Sequence, residues 1–392
     1  MHSPFYCHSK KTVTGFTLVE LLVATAIALS LMLFAATVFS IFGQSVNESQ
    51  DILRLHDQMR SAAWSLRQDL SGVTCTVTPW QRPEADAGNF ELIEGPANDF
   101  TSLNGTDTLV SDIDDVLMFT TQRLSGNFVG EVNTTPMESS AAEVAWFCLE
   151  GTDSIDGQPL YNLHRRRFLV RSYLGTTTSL TSGHDQLSGT IPAVYQTQEV
   201  SLRNNGGGTL LPNGLSDLTK RENRFFHRNI APSFPFAVTH ADIQTNRSDS
   251  SLLSGEDIIL NNVIAFDVRV FDLEQSPPAY IDLGGSPDFP TSTLSSAPAK
   301  PSSSSPDWSN PTYCTWSQHY ESNGIDEDNN AVVDQGTNGQ DDNGNNIPDD
   351  SNELETQPPY NIPLGGIEIR IRCIEPKSKQ IRQITVRHSF PS

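Results

Sequence analysis

The spacing of apolar and polar residues follows two different periods along the chain, and the change falls at Ser71-Gly72. From Phe16 to Phe42 the only charged residue is Glu20. A helix of that length covers ~40 Å at 1.5 Å per residue, enough to cross a bilayer. Further on, Ile52, Leu55, Met59, Ala63, Leu66 and Leu70 recur at three- and four-residue steps, with Arg54, Asp57, Arg60, Arg67 and Asp69 on other faces. This predicts a membrane helix over 16–43 that continues as an amphipathic helix over 44–72. After Gly72 the period falls towards two, and strands are expected at 73–78, 115–121, 143–149, 160–170, 263–271, 367–374 and 381–388. In the penultimate strand Ile367, Ile369, Ile371 and Cys373 should face a core while Glu368, Arg370 and Arg372 face water. Pro376-Lys377-Ser378-Lys379 reads as the turn into the last strand. The expected class is α+β, a long N-terminal transmembrane helix continuing onto a globular, antiparallel β-sheet head over 73–392.

Charge narrows the range of partners. The chain has 392 residues, 47 acidic and 25 basic, for a formal charge of −22. So acidic a surface argues against nucleic acid, whose phosphates need basic groups. Eleven of the acidic residues lie in 321–356, a stretch without Lys or Arg. Lys10 and Lys11 precede the apolar run, so the short N-terminus should stay cytoplasmic and the head be exported. Beyond the membrane segment Cys75, Cys148, Cys314 and Cys373 are an even number without a CxxC pair. They suit one or two disulfides in an oxidising compartment, or equally a set of reduced core thiols.

A carboxylate inside an apolar helix costs at least a few kcal/mol and normally answers to a partner. Gly15-Phe16-Thr17-Leu18-Val19-Glu20, after Lys10 and Lys11 and before Leu21-Leu22-Val23-Ala24, resembles the class III leader of type IV pilins and type II secretion pseudopilins. The resemblance implies a leader over 1–15, cleavage after Gly15 by a prepilin peptidase, and N-methylation of Phe16. It also implies that Glu20 pairs with the new Phe16 amine of a neighbouring subunit, in surroundings of low dielectric where an unpaired carboxylate is costly. The pilin shape it implies is a lollipop. The helix segment at 53–73, EVAWFCLEG at 143–151, LYNLHRRR at 160–167, NNVIAFDVRVFD at 261–272 and the closing run at 364–390 are similar in order and character to the minor pseudopilin J, with the W-like minor pilin of type IV pili next. Glu20 itself sets the chain apart from the K-like tip pseudopilin, which typically lacks it.

Additions at 172–256 and 273–360 depart from a compact J-like subunit. The second contains a linker, since fifteen of the twenty-six residues in 286–311 are Ser or Pro. It also contains an acidic repeat over 326–349, in which DEDNNAVVD and DDNGNNIPD recur at an offset of fifteen. Asp326, Asp328, Asn330 and Asp334 align with Asp341, Asn343, Asn345 and Asp349. Oxygen side chains at positions one, three, five and nine of a tight loop converge on a hard cation. The pattern resembles the calcium loops of thrombospondin type 3 and dockerin-type repeats, which makes Ca²⁺ the expected cofactor. Ala331 and Asn346 stand where an EF-hand has its turn glycine.

Catalytic signatures are missing: there is no HExxH, GxSxG, Walker loop or dinucleotide fingerprint. The glycines at 206–208 lack the strand-then-helix setting of a phosphate loop and are read as part of a loop. His164 is expected at a strand edge, His388 half-buried, Trp146 in the core, and Trp308 and Trp316 in buried loops. The expectation is therefore a non-enzymatic, single-pass protein of the bacterial inner membrane with its head in the periplasm. It would be a minor pseudopilin near the tip of a secretion pseudopilus, with sister pseudopilins, the inner-membrane assembly platform and secreted cargo as partners. The alternative is a minor type IV pilin with an adhesive or assembly-priming role.

Overall fold

The computed structural model describes residues 15–96, 109–132, 135–171, 195, 198–204, 210–225, 227, 234–246, 255–272, 277–284 and 311–391, with backbone alone for 44, 45 and 47. The chain divides into two units, one ending at Arg54 and one beginning at Leu55. A helix, α1, runs Leu18–Ser71. In the first unit no described side chain is buried by the protein itself. The hydroxyls along its apolar run turn inward: Thr25 donates to the carbonyls of Leu21 and Leu22, Ser30 to that of Ala26 and Thr37 to that of Leu33. With these hydroxyls bonded to the helix's own backbone, the stretch from Leu21 to Phe42 presents an almost wholly apolar surface. This is a helix long and apolar enough to cross a membrane.

In the second unit the predicted stripe from Leu55 to Leu70 is buried, joined by Ala62, while Ile52, its first expected member, lies in the first unit and is half-buried. Leu55, Met59, Ala62, Ala63, Leu66 and Leu70 are all buried in the main hydrophobic core, and each large side chain there contributes about 1.5–3 kcal/mol. The strands are β1 Trp80–Gln81, β2 Phe90–Ile93, β3 Val116–Gln122, β4 Phe128–Val132, β5 Thr135–Ser139, β6 Ala141–Ile155, β7 Gln158–Val170, β8 Leu202–Asn204, β9 Leu210–Pro212, β10 Glu256–Asp272, β11 Ala279–Ile281, β12 Thr312–Cys314, β13 Trp316–Ser317, β14 Gly366–Glu375 and β15 Gln380–Ser389. Nine of them form one antiparallel sheet in the order β12-β2-β3-β6-β7-β10-β14-β15, with β11 also paired to β10. β6 and β7 turn back on each other through Asp156-Gly157, both at positive φ (53° and 85°), the two-residue turn whose twist matches the strands. β14 and β15 pair in register over ten residues around the turn at 376–379.

Both faces of the central strands are buried. Trp146 and Arg165 are a cross-strand pair whose side chains reach Asp69 of α1. The next pair, Ala145 and Arg166, faces the other way by the alternation of a strand. On that face Arg166 lies over Phe168 at 4.3 Å and also over Phe225, and Phe168 stacks on Tyr195 at 4.9 Å. Glu143 accepts from Ser201 Oγ (2.7 Å) and from the Phe225 N–H (2.8 Å). The region 172–256, expected as an addition to the head, thus supplies in its described residues one layer of the core.

Other expectations change as well. Residues 73–78 are not a strand: Val73 makes one bridge to Thr121, Thr74 ties its hydroxyl to the Ala87 carbonyl (2.7 Å), and Pro79 follows. Glu368 does not face water. It is buried with Arg370 (2.8 Å) and Arg387 (2.5 Å) on its carboxylate, which draws the arginine stems over the sheet. His164 sits in the middle of the sheet, stacked on Phe147 and bonded to Glu256 at 2.7 Å, because β10 pairs with the outer side of β7. Trp316 lies in the short strand β13 with its indole N–H on Thr356 (2.9 Å). Cys75, Cys148, Cys314 and Cys373 are buried free thiols, the second of the two states left open by the sequence. Burial pushes Cys75, Cys314 and Cys373 up to about 12, so these thiols are poor nucleophiles. The linker at 286–311 lies outside the described residues except for Pro311, as do Trp308 and the glycines at 206–208.

Candidate functional site

Two features of the sequence carry candidate chemistry; the structure describes the acidic repeat throughout and the N-terminal feature from Gly15 onward, the leader before it with Lys10 and Lys11 lying outside the described residues. At the N-terminal end Gly15, Phe16 and Thr17 have no regular structure and are exposed, and α1 begins at Leu18. Thr17 Oγ1 accepts the Glu20 N–H (3.2 Å), while Glu20 Oε2 accepts the Thr17 N–H and hydroxyl, both at 2.9 Å. This is a reciprocal capping box, which satisfies N–H groups that the first helical turn would leave without partners and places a negative charge at the positive end of the helix dipole. Thr-x-x-Glu ahead of an apolar run is itself a legible signal. It gives Glu20 a local partner in addition to the intermolecular one implied by the family resemblance.

Among the described residues, a Cβ placed on Gly15 would meet no atom within 4 Å, so no packing there calls for glycine. The Gly15-Phe16 peptide lies in an exposed segment without regular structure, open to a protein that approaches it.

The acidic repeat folds as a repeat. Positive φ recurs at Gly324 and Gly339, Ala331 and Asn346, and Asp334 and Asp349, and Asn329 is matched by Gly344. Hydrogen bonds recur with the same offset. Asp326 accepts the N–H groups of Asn330 (3.0 Å) and Ala331 (2.8 Å), and Asp341 those of Asn345 (2.9 Å) and Asn346 (2.6 Å). Asp334 accepts the Gly324 N–H and Asp349 the Gly339 N–H. Each turn bends around its first aspartate, and the side-chain oxygens at positions one and three share the N–H of position five.

Two glutamates beyond the expected set anchor these turns. Buried Glu355 accepts from the N–H groups of Glu327 (2.8 Å) and Asp334 (3.0 Å), and buried Glu353 from those of Asn343 (3.0 Å) and Asp350 (3.1 Å). Oxygens of Asp326, Asp328 and Glu355 come within 4.8 Å of one another. Burial and neighbouring carboxylates push Glu355 up to about 7 and Glu327 to about 8. Asp328 is raised by burial and by Asp326, whereas Asp326 is lowered by the N–H groups that outweigh its desolvation. Glu353 and Glu355 stand two apart at the end of the same acidic stretch, and that alternation marked them in the sequence. Asp334 and Asp349 are turned towards Gly324 and Gly339 rather than joining the carboxylates gathered at Asp326.

Comparison with protein-family models, curated proteins and solved structures gave no match.

Proposed function

We propose that this chain is a minor pseudopilin, processed at Gly15-Phe16 and assembled with sister subunits into a secretion pseudopilus that aids protein export. The observation that carries the reading is the setting of Gly15. Among the described residues no atom lies where a Cβ on it would fall, it is exposed and outside regular structure, and it stands three residues before a helix whose charge-free apolar run, to Phe42, is broken only by Glu20. A prepilin peptidase supplies a reason for glycine that the fold does not.

Cleavage would leave a cationic amine on Phe16, and Glu20, now held by Thr17, would exchange that local bond for the amine of an adjacent subunit. In a low-dielectric filament core such a charge pair is favoured by geometry and by the cost of leaving either charge alone. The apolar helix would anchor the subunit in the bacterial inner membrane with its head in the periplasm until the assembly platform extracts it. The acidic repeat would be a calcium loop, the ion held by Asp326, Asp328 and Glu355 in the first turn and by Asp341, Asn343 and Asn345 in the second. A minor type IV pilin is the alternative, favoured if the protein co-purifies with pilins of a retractable pilus.

The test is assembly. Glu20→Ala should still be cleaved after Gly15 when expressed with a prepilin peptidase, but should be depleted at least tenfold from sheared filaments. Normal incorporation would overturn the role assigned to Glu20.

A further inference from the structure

A second acidic group lies inside the head, away from the surface repeat. Glu94 follows β2, Asp112 and Asp115 precede β3, Asp267 is in β10 and Asp282 follows β11, and all five are buried. Oxygens of Glu94, Asp112 and Asp115 lie within 4.8 Å of one another, and so do those of Asp112, Asp267 and Asp282, with Asp112 common to both sets. The backbone fixes this convergence. Ser111 donates its N–H to the Ile264 carbonyl (3.0 Å), and the Phe266 N–H reaches the Asp112 carbonyl (2.8 Å), which lays this segment along β10. Asp115 accepts the N–H groups of Val268 (2.6 Å) and Gly95 (3.3 Å), and Glu94 accepts that of Leu283 (3.1 Å). The packing is tight enough that a Cβ on Gly95 would fall 2.0 Å from the Asp114 carboxyl carbon.

Asp112 is the telling residue. It is 1% exposed, it belongs to both sets, and among the described residues neither of its carboxylate oxygens has a hydrogen-bond partner. An ionised carboxylate buried without a partner costs several kcal/mol. Arg269 faces Asp282 at 2.9 Å and Arg370 faces Asp267 at 3.7 Å, which balances two of the five charges. Glu94, Asp112 and Asp115 remain, gathered around one point.

We propose that Glu94, Asp112 and Asp115 bind a divalent cation of the calcium type, with Asp267 and Asp282 on the far side of Asp112. An all-oxygen donor set selects hard cations over zinc or copper. Burial of all the carboxylates leaves little room for the waters magnesium retains, which favours calcium. The ion would tie the segment before β3 and the one after β11 to β10, where the fold otherwise leaves like charges in contact. This inference stands apart from the filament reading and from the acidic repeat.

The experiment uses the full chain in detergent, stripped with chelator, with the repeat silenced by Asp326→Asn, Asp328→Asn, Asp341→Asn and Asp349→Asn. Calorimetric titration with calcium chloride should show one remaining site and a rise in unfolding temperature on the order of 5 °C at saturation. Adding Asp112→Asn should weaken that site by at least about tenfold. In chelator, the same variant should melt no lower than its parent, because it removes repulsion. If Asp112→Asn does not fold, Glu94→Gln decides by the same titration. Absence of a site in the silenced protein, or affinity unchanged by the core substitution, overturns the proposal.

Discussion

Arg165 grips Asp69 with both arms of its guanidinium, Nε at 2.8 Å from one carboxylate oxygen and Nη2 at 2.6 Å from the other. Asp69 belongs to the last turns of α1 and Arg165 to β7, so this pair fixes the helix on the sheet. Trp146 adds its indole N–H at 3.0 Å, and Thr121 donates its hydroxyl to the Asp69 carbonyl at 2.7 Å. Burial raises the Asp69 carboxyl, and Arg165 pulls against that rise. A buried pair of this kind is worth most as a determinant of how two elements dock.

Asp69→Ala leaves the Arg165 guanidinium without its partner in a half-dry site. The expected loss is about 3–5 kcal/mol, and Asp69→Asn, which keeps shape and some hydrogen bonding, should lose less. Chemical unfolding of the full chain in detergent measures both.

A second buried ionic group sets the acid limit. Glu91 of β2 receives Arg221 (2.5 Å), Arg224 (2.8 Å) and His227 (3.0 Å), all buried. Burial opposes its charge, but Arg221, His227 and Arg224 together hold the carboxyl well below the usual range. Its stabilisation is therefore complete above the ordinary unfolded value of about 4.3 and is lost as pH falls through the lower folded one. Glu91→Gln should be less stable near neutrality and show a shallower loss of stability below about pH 4. Circular dichroism across an acid titration checks the slope. Equal slopes would remove Glu91 from the account.

Calcium should order the acidic repeat. Exposed sites of this kind bind at roughly 10⁻⁴–10⁻³ M. In a protein carrying Asp112→Asn, titration of calcium into the millimolar range should still raise the unfolding temperature, and Asp326→Asn with Asp341→Asn should abolish that rise. Differential scanning calorimetry reads both, and a flat response before the repeat is altered would refute calcium binding there.

How much of this was legible in the sequence depended on range. The stripe from Leu55 to Leu70 and the β14–β15 pair follow from periods that repeat within a few residues, and both are present as expected. The fifteen-residue offset predicted the turns that recur at Ala331 and Asn346. Residues 73–78 misled because their alternation of Val and Thr looks like a strand, while Thr74 spends its hydroxyl on the carbonyls of Ala87 and Thr120, partners the local pattern does not reveal. The layer made by the described residues of 195–227 escaped notice because its reason is non-local. Nothing near Arg221 in sequence indicates that Glu91, far earlier in the chain, needs its charge. Asp112 was equally silent, since a carboxylate in a loop is ordinary until the fold surrounds it with others. The Asp156-Gly157 turn, by contrast, was a readable hairpin signal that explains why β6 and β7 extend beyond the strands expected there.

The most direct measurement is the N-terminus of the protein isolated from the membranes of cells that express it with its own secretion machinery. Intact-mass analysis should find a chain that begins at Phe16 and carries one added methyl group. A chain that retains Gly15 and the residues before it would contradict the account, because Glu20 would then have no new amine to pair with.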